Sequence, residues 1–387
     1  MTDRGFTPLE RDLVAAARRC AAASLAEAAD ADRSGVFPEA AYRSAAEAGL
    51  VGMAVPQAHG GHGVSVAAQA AIIEALAGGC AAVVGAVIGN GVQAALSLLH
   101  GAEPELRRRV LPPLVLGQTQ IAFAISEPEA GSDAAALQCR ATRTLDGWRI
   151  DGEKTMVNRA TLSSAAIVFA TVDPALRHKG VTAFLVDLEQ PGVEIGPPMR
   201  KTGQKALPTG PIRFEGATVP DSRRLGDVGG GFALMMKVVT HARTMVAANA
   251  VGRMSGALEH AVNHVRHRRQ FGAPLADLDM VKAEIADMAV ALSAARCLTA
   301  RAALAMDESL GDETVAAATA KLFATDACID VCRRAMLLCG GMGYSDAHPV
   351  ERMMRDALAG QVVDGANPIQ KQIIAKELLR GARGRDG

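Results

Sequence analysis

Few side chains in this 387-residue sequence are placed to do chemistry, and most of those are isolated. One carboxylate, Asp364, stands before Gly365 in Val362-Val363-Asp364-Gly365-Ala366-Asn367-Pro368, between two apolar segments. Such a carboxylate can act as a general base. Taken alone, though, Asp-Gly reads as a turn, because both residues tolerate left-handed backbone. His59 and His62 sit in the glycine-dense stretch 56–63, and a turn with incidental histidines is the better reading, because no carboxylate or cysteine accompanies them. Cys328 and Cys332 lie four apart on a helical pattern with no histidine pair to complete a zinc site, so no metal is expected. Arg268 lies in the basic cluster 264–269. By itself that is a solvated helix end, although a guanidinium with five donors would suit a pyrophosphate.

The elements that must hold these residues follow from composition and period. The length suggests two or three units around a shared core. A hydrophobic share of 49% is that of a globular protein, and with aromatics at 3% the core must be built of Ala, Val, Leu and Met. A formal net charge of +0 gives no general attraction to nucleic acid or anionic membrane. Seven cysteines without a CxxC pair fit free thiols in a reducing compartment. The charged start, residues 1–10, lacks an apolar signal core, and residues 71–99 are interrupted by Glu74, Asn90, Gln93 and glycines. A cytoplasmic protein without membrane segments is expected.

Residues 1–118 read as a helical domain. Leu9, Leu13, Ala16 and Ala17 share a face, Pro38 opens a second helix that Gly49 closes, 66–99 reads as buried helix, and 103–117 is a short helix ending at Pro112-Pro113. The pattern changes at Gln120. The run 121–125 is strand-like, Leu137, Cys139 and Ala141 alternate with polar residues, Asp146-Gly147 marks a hairpin, and further strands fall at 167–171, 181–188 and 212–214. An antiparallel β-domain over 119–228 is expected. After Gly229-Gly230-Gly231 the helical period returns over 232–266, 281–306 and 313–338, with a fourth helix at 368–379 and a basic end at 380–385. The fold class is α+β multidomain: an all-α N-terminal domain, a middle β-domain and a four-helix bundle over 229–387.

Five stretches in this order resemble motifs of the acyl-CoA dehydrogenase family. Ala124-Ile125-Ser126-Glu127-Pro128-Glu129-Ala130-Gly131-Ser132-Asp133 resembles its (T/S)EPxAGSD signature, and Gly152-Glu153-Lys154 its GxK segment. Arg268-Arg269-Gln270-Phe271-Gly272 matches RxxFG, Gly340-Gly341-Met342-Gly343-Tyr344 matches GGxGY, and residues 351–357 match ERxxRDA. The resemblance spans nearly the whole chain. It implies FAD, with contacts from Phe123, Ile125, Ser126, Met156, Val157 and Asn158 on the β-domain. It implies further FAD contacts from Arg268, Phe271, Asp279, Leu337, Gly340, Gly341, Ala366 and Pro368, some of them to the FAD of a neighbouring subunit, and hence a homodimer or homotetramer. Ser132, Arg243 and Gly365 are implied substrate contacts. Arg352, Arg355 and Asp356 read as structural ion pairs.

The resemblance also changes the reading of Asp364. The family's catalytic Glu follows GGxGY by about two dozen residues, and the count from Gly341 lands on Asp364. The alternative position used by some members is Ala242, before Arg243, and is empty. The base implied is therefore Asp364, shorter than Glu by one methylene, about 1.5 Å of reach. Around the flavin, Met156 replaces a Trp, Asn158 a hydroxyl, Leu337 and Asp279 two Gln, Ala366 a Thr, and Pro368 an acid or amide. These departures imply an active, specialised acyl-thioester dehydrogenase, as a natural-product pathway would use. One version is γ,δ-desaturation of an α,β-unsaturated thioester on CoA or a carrier protein, with an electron-transfer flavoprotein or another acceptor. Two alternatives are a nitroalkane-oxidase-like enzyme, which would want an Arg near Asp364 where Lys371 is the candidate, and a flavin-bearing nucleic-acid-binding relative, which the neutral charge disfavours.

Overall fold

The computed structural model describes residues 5–383, with side chains through Arg380. The outermost residues of the two flanking domains, and part of the basic stretch 380–385, lie outside the described residues. The first helix, Pro8–Ser34, starts in a capping box: Thr7 accepts from the Glu10 N–H while the Glu10 carboxylate accepts from the Thr7 N–H. Glu10 also accepts from the main chain and hydroxyl of Ser65, which caps the helix Val66–Leu76. Helix Glu39–Glu47 follows Pro38 as expected.

Two details differ from the sequence reading. The helix expected over 66–99 breaks at residues 77–80 and resumes as Ala81–Ile88, a π-helical turn Gly89–Ala94, and Ala95–Gly101. The break lets Gly79 pass the first helix so closely that a Cβ would lie 2.3 Å from Ser24 Oγ. Helix Pro104–Val115 runs through Pro112 and Pro113 rather than stopping there, because Leu111, Leu114 and Val115 are buried in the cluster that joins the helices to the sheet. Ala81–Gly101 and Asp279–Asp307 are long and apolar enough to cross a membrane by length and composition, but the first is 83% buried within this fold. Its apolarity therefore serves the core.

The middle of the chain forms an eight-stranded sheet. Most pairings are antiparallel, including the hairpin between Arg140–Arg143 and Gly147–Asn158 and the long pairing of the latter with Thr209–Pro220. The exceptions are Ile121–Ala124 and Arg140–Arg143, which pair parallel to Ala165–Thr171. Strand alternation divides the sheet into two faces. Ile167 and Phe169 join Leu111, Leu114, Met235 and Val239 against the helices, while Ala166, Val168 and Ala170 join Trp148, Phe184 and Phe214 on the other side.

Gly231–His267, Asp279–Asp307, Glu313–Leu338 and Asn367–Arg383 form the C-terminal helices. Their core is rich in alanine, which lets axes approach closely. Where Gly231–His267 crosses Val66–Leu76, a Cβ on Gly252 would lie 2.1 Å from the Glu74 carbonyl oxygen. Arg355 clamps the three parts together by pairing with Asp32 of the first helix (2.7 Å), Glu351 of its own helix and the Thr202 carbonyl (3.1 Å). Next to it, buried Asp356 faces Arg253 at 3.3 Å and accepts from the Gln204 N–H. Arg355 and Asp356 thus form the structural ion pairs that their motif led one to expect.

Candidate active site

Asp364 sits between the 3₁₀ turn Leu358–Gln361 and the helix Asn367–Arg383. Its φ is 52° and that of Gly365 is 90°, so the chain makes two successive left-handed steps, a conformation that Asp and Gly accept most readily. The carbonyls on this turn are held from three helices. Arg243 Nε donates to the Asp364 carbonyl at 3.0 Å, and Lys321 Nζ donates to the Gly365 carbonyl at 3.0 Å and to Asn367 Oδ1 at 2.7 Å. Gln370 Nε2 also donates to the Gly365 carbonyl, at 2.6 Å. Among the described residues, the Asp364 N–H donates to no acceptor.

The Asp364 carboxylate is half-buried and accepts a hydrogen bond from Gln93 Nε2 at 2.7 Å. Burial pushes its pKa up from the ordinary carboxylate value, with the charges of Arg243 and Lys321 and the Gln93 bond acting the other way. Burial lowers Lys321 to about 8. A carboxylate of raised basicity on a rigid turn is what a base acting on a weak carbon acid requires.

A second group of residues comes from the sheet. Buried Lys154 pairs with buried Glu127 at 2.7 Å and also donates to the Ile125 carbonyl at 2.9 Å. The Thr155 N–H donates to the Ser126 carbonyl at 2.8 Å. These bonds hold Phe123, Ile125 and Ser126 beside the end of Gly147–Asn158. There a register shift between Lys154 and Val157 and a φ of 56° at Met156 leave the Met156 side chain exposed while Val157 stays buried. Asn158 Oδ1 accepts from Thr209 Oγ1 at 2.7 Å, and among the described residues its amide nitrogen has no acceptor.

The two groups are linked through the π-helical turn. Gln93 reaches Asp364, and four residues earlier Gly89 packs on Arg159, the neighbour of Asn158. Arg159 is buried, hydrogen-bonds Asn90 Oδ1 and the Ile121 carbonyl, and is lowered to about 10 by its burial. Gln93, Lys321 and Arg159 carry no motif that marks them as site residues; Gln93 shows in sequence only as a polar residue inside an apolar run, which names no partner.

All three acyl-CoA dehydrogenase domain models match the chain: the N-terminal domain at residues 7–118, the middle domain at 122–217 and the C-terminal domain at 229–379. The chain belongs to the acyl-CoA dehydrogenase family. Human mitochondrial short-chain specific acyl-CoA dehydrogenase is 37% identical over 358 residues, 92% of this chain and 86% of that protein. Butyryl-CoA dehydrogenase from Megasphaera elsdenii superposes with a TM-score of 0.94 at 30% identity, over 98% of this chain and 100% of that one. The FAD complex of PigA superposes at 0.92 with 26% identity, over 97% and 99%. This acyl-CoA dehydrogenase family member is therefore an enzyme of the flavin oxidoreductase class.

The residues present fit the family's FAD. Among the described residues, the half-buried Ser126 hydroxyl has no hydrogen-bond partner, the Asn158 amide nitrogen has no acceptor, and a Cβ on Gly340 or Gly341 would meet nothing within 4 Å. The structure gathers Asp364, Gly365, Ala366 and Arg243 at one turn. Pro368 lies at the start of the helix that leaves this turn, and among the described residues no hydrogen bond joins the other expected residues to it. Arg268 is exposed, Phe271 is 92% exposed at the tip of the short hairpin formed by Arg269–Gln270 and Ala273–Pro274, and Asp279 pairs with Lys282. Leu337, Gly340, Gly341, Pro368 and Ser132 are also exposed.

Proposed function

We propose that this chain oxidises an acyl thioester with Asp364 as the base, and that its substrate or regiochemistry differs from ordinary α,β-oxidation of a fatty acyl-CoA. FAD-dependent oxidation of an acyl thioester is the reaction of the class to which the chain belongs. The observation that carries the finer reading is the setting of Asp364: a half-buried carboxylate of raised pKa on a turn held by Arg243, Lys321 and Gln370, with no ion pair to either cation among the described residues. The carboxylate removes a proton from the acyl chain. The N–H of Asp364, free on the same turn, donates to the thioester oxygen as negative charge develops there. When bound, FAD supplies the hydride acceptor. Ser126, Met156 and Asn158 would hold it from the sheet, with the Asn158 amide as the donor where the family uses a hydroxyl.

The short side chain is the reason to expect unusual regiochemistry. A base displaced by about 1 Å costs on the order of a hundredfold in rate, so the proton taken must lie where this carboxylate reaches. Abstraction further along an already unsaturated chain, giving γ,δ-desaturation, meets that requirement. The reading includes a homodimer or homotetramer in which exposed Arg268 and Phe271 meet a neighbour's FAD. It also includes an electron-transfer flavoprotein or similar acceptor, and cytoplasmic residence in keeping with the free cysteines. The deciding experiment is a panel of CoA and carrier-protein thioesters, saturated and α,β-unsaturated, with the double-bond position determined in each product. New γ,δ double bonds are expected. Efficient conversion of saturated thioesters to α,β-enoyl products alone would overturn the regiochemical reading.

A further inference from the structure

Gln93 lies in Ala81–Gly101, the more apolar of the two long apolar helical stretches among the described residues. It falls within the π-helical turn Gly89–Ala94, flanked by α-helix on both sides. A π-turn accommodates an extra residue and rotates the side chains that follow it, and such turns are frequent at functional sites. From this turn Gln93 Nε2 donates to Asp364 Oδ1 at 2.7 Å, across 271 positions of sequence. The charged groups that face Asp364 come from two other elements, Arg243 of Gly231–His267 and Lys321 of Glu313–Leu338. Arg243 is bonded to the Asp364 carbonyl, and Lys321 to the Gly365 carbonyl and Asn367. The cations thus hold the main chain of the turn. Among the described residues, the carboxylate itself is held by Gln93 alone.

We propose that Gln93 is the positioning residue of the base: it fixes one oxygen of the Asp364 carboxylate and leaves Oδ2 as the atom that takes the substrate proton. This rests on the reading of Asp364 as the base. An Asp has a shorter arc to sweep than a Glu, so fixing its single terminal torsion determines which carbon it reaches. The amide also stabilises the ionised form through a charge-assisted hydrogen bond, so it lowers the pH at which the base becomes competent.

Gln93→Leu removes the donor and keeps the bulk, while Gln93→Glu sets a second carboxylate against the first. Two readouts are needed. One is the pH dependence of anaerobic flavin reduction by a thioester that the wild type oxidises, read below about pH 7 so that Lys321 keeps its charge. The other is independent of turnover: an infrared titration of the Asp364 carboxyl, isolated by subtracting the spectrum of Asp364→Asn. In Gln93→Leu both midpoints should rise by about one pH unit. The plateau rate should fall roughly tenfold to a hundredfold. In Gln93→Glu the midpoint should rise further. An infrared midpoint and acid limb that match the wild type in either variant, with FAD retained, would overturn the proposal. If Gln93→Leu does not fold, Gln93→Glu carries the same test at nearly constant volume. Flavin reduction at the wild-type rate in Asp364→Ala would instead remove the base assignment, whereas the infrared midpoints would still show whether Gln93 sets the ionisation of Asp364.

Discussion

Replacing Lys154 with Met tests how the sheet presents its half of the site. Lys154 Nζ lies 2.7 Å from Glu127 Oε1, and both side chains are nearly inaccessible, at 0% and 5% exposure. Glu127 also accepts from the N–H groups of Gln138 (2.6 Å) and Cys139 (3.1 Å). Three segments of the β-domain therefore converge on one buried carboxylate, and the loop carrying Ser126 hangs from that point. Removing one partner of a buried ion pair costs about 3–5 kcal/mol, because the other charge is left without its counter-ion. Two backbone donors remain on Glu127, which puts the expected loss near the lower end, ~3 kcal/mol. For a 387-residue chain unfolding as one unit, with an unfolding entropy of ~2.1 cal/mol/K per residue, that corresponds to a fall in Tm of roughly 4 °C. Thermal unfolding and urea titration of the FAD-loaded protein measure it, and FAD released on dilution reports the loosened loop. The double variant Lys154→Met, Glu127→Gln carries no lone charge and should recover most of the loss. A single variant within ~1 kcal/mol of wild type, or a double variant no better than the single, would refute the reasoning.

Two other outcomes follow from the same structure. Asp364 has its pKa raised in the folded chain, chiefly by burial, so its ionised form is less favourable folded than unfolded. The wild type should lose stability as pH rises from the unfolded carboxylate value through the higher folded one, and Asp364→Asn should be the more stable protein above that window and equal to wild type below it. Tm measured against pH checks this, and a variant no more stable than wild type at neutral pH counts against it. Phe271, 92% exposed on its hairpin, should bury its ring against a neighbouring subunit. Phe271→Ser should therefore weaken association roughly tenfold to a hundredfold per contact, from the ~1.5–3 kcal/mol that burying a Phe contributes. Light scattering across a dilution series tests this, and unchanged assembly speaks against that contact.

Much of the fold was legible because its signals are local. The period-2 alternation around Cys139 and the Asp146-Gly147 turn locate the hairpin, and the long apolar periods after Gly231 locate the bundle. The motif residues were legible by resemblance, but the roles of several emerge only from contacts. Glu127 and Lys154 hold the sheet loop, Arg355 reaches Asp32 across 323 positions, and neither pair touches the carboxylate at 364. The partner of Asp364 was not legible. Gln93 shows in sequence only as an interruption of an apolar run, and Lys321 only as a lysine on a helix, since their bonds to the 364–367 turn join elements far apart in the chain. The helix through Pro112-Pro113 escaped for a similar reason: burial of Leu111, Leu114 and Val115 overrides the local preference to stop at proline.

Whether Asp364 takes the substrate proton is decided by mixing FAD-loaded protein with its best thioester substrate in the absence of oxygen and following the flavin absorbance in the wild type and in Asp364→Ala. The wild type should bleach, and the variant, with FAD still bound, should do so at least a thousandfold more slowly, as expected when an essential base is removed. Bleaching of Asp364→Ala at the wild-type rate would contradict that role.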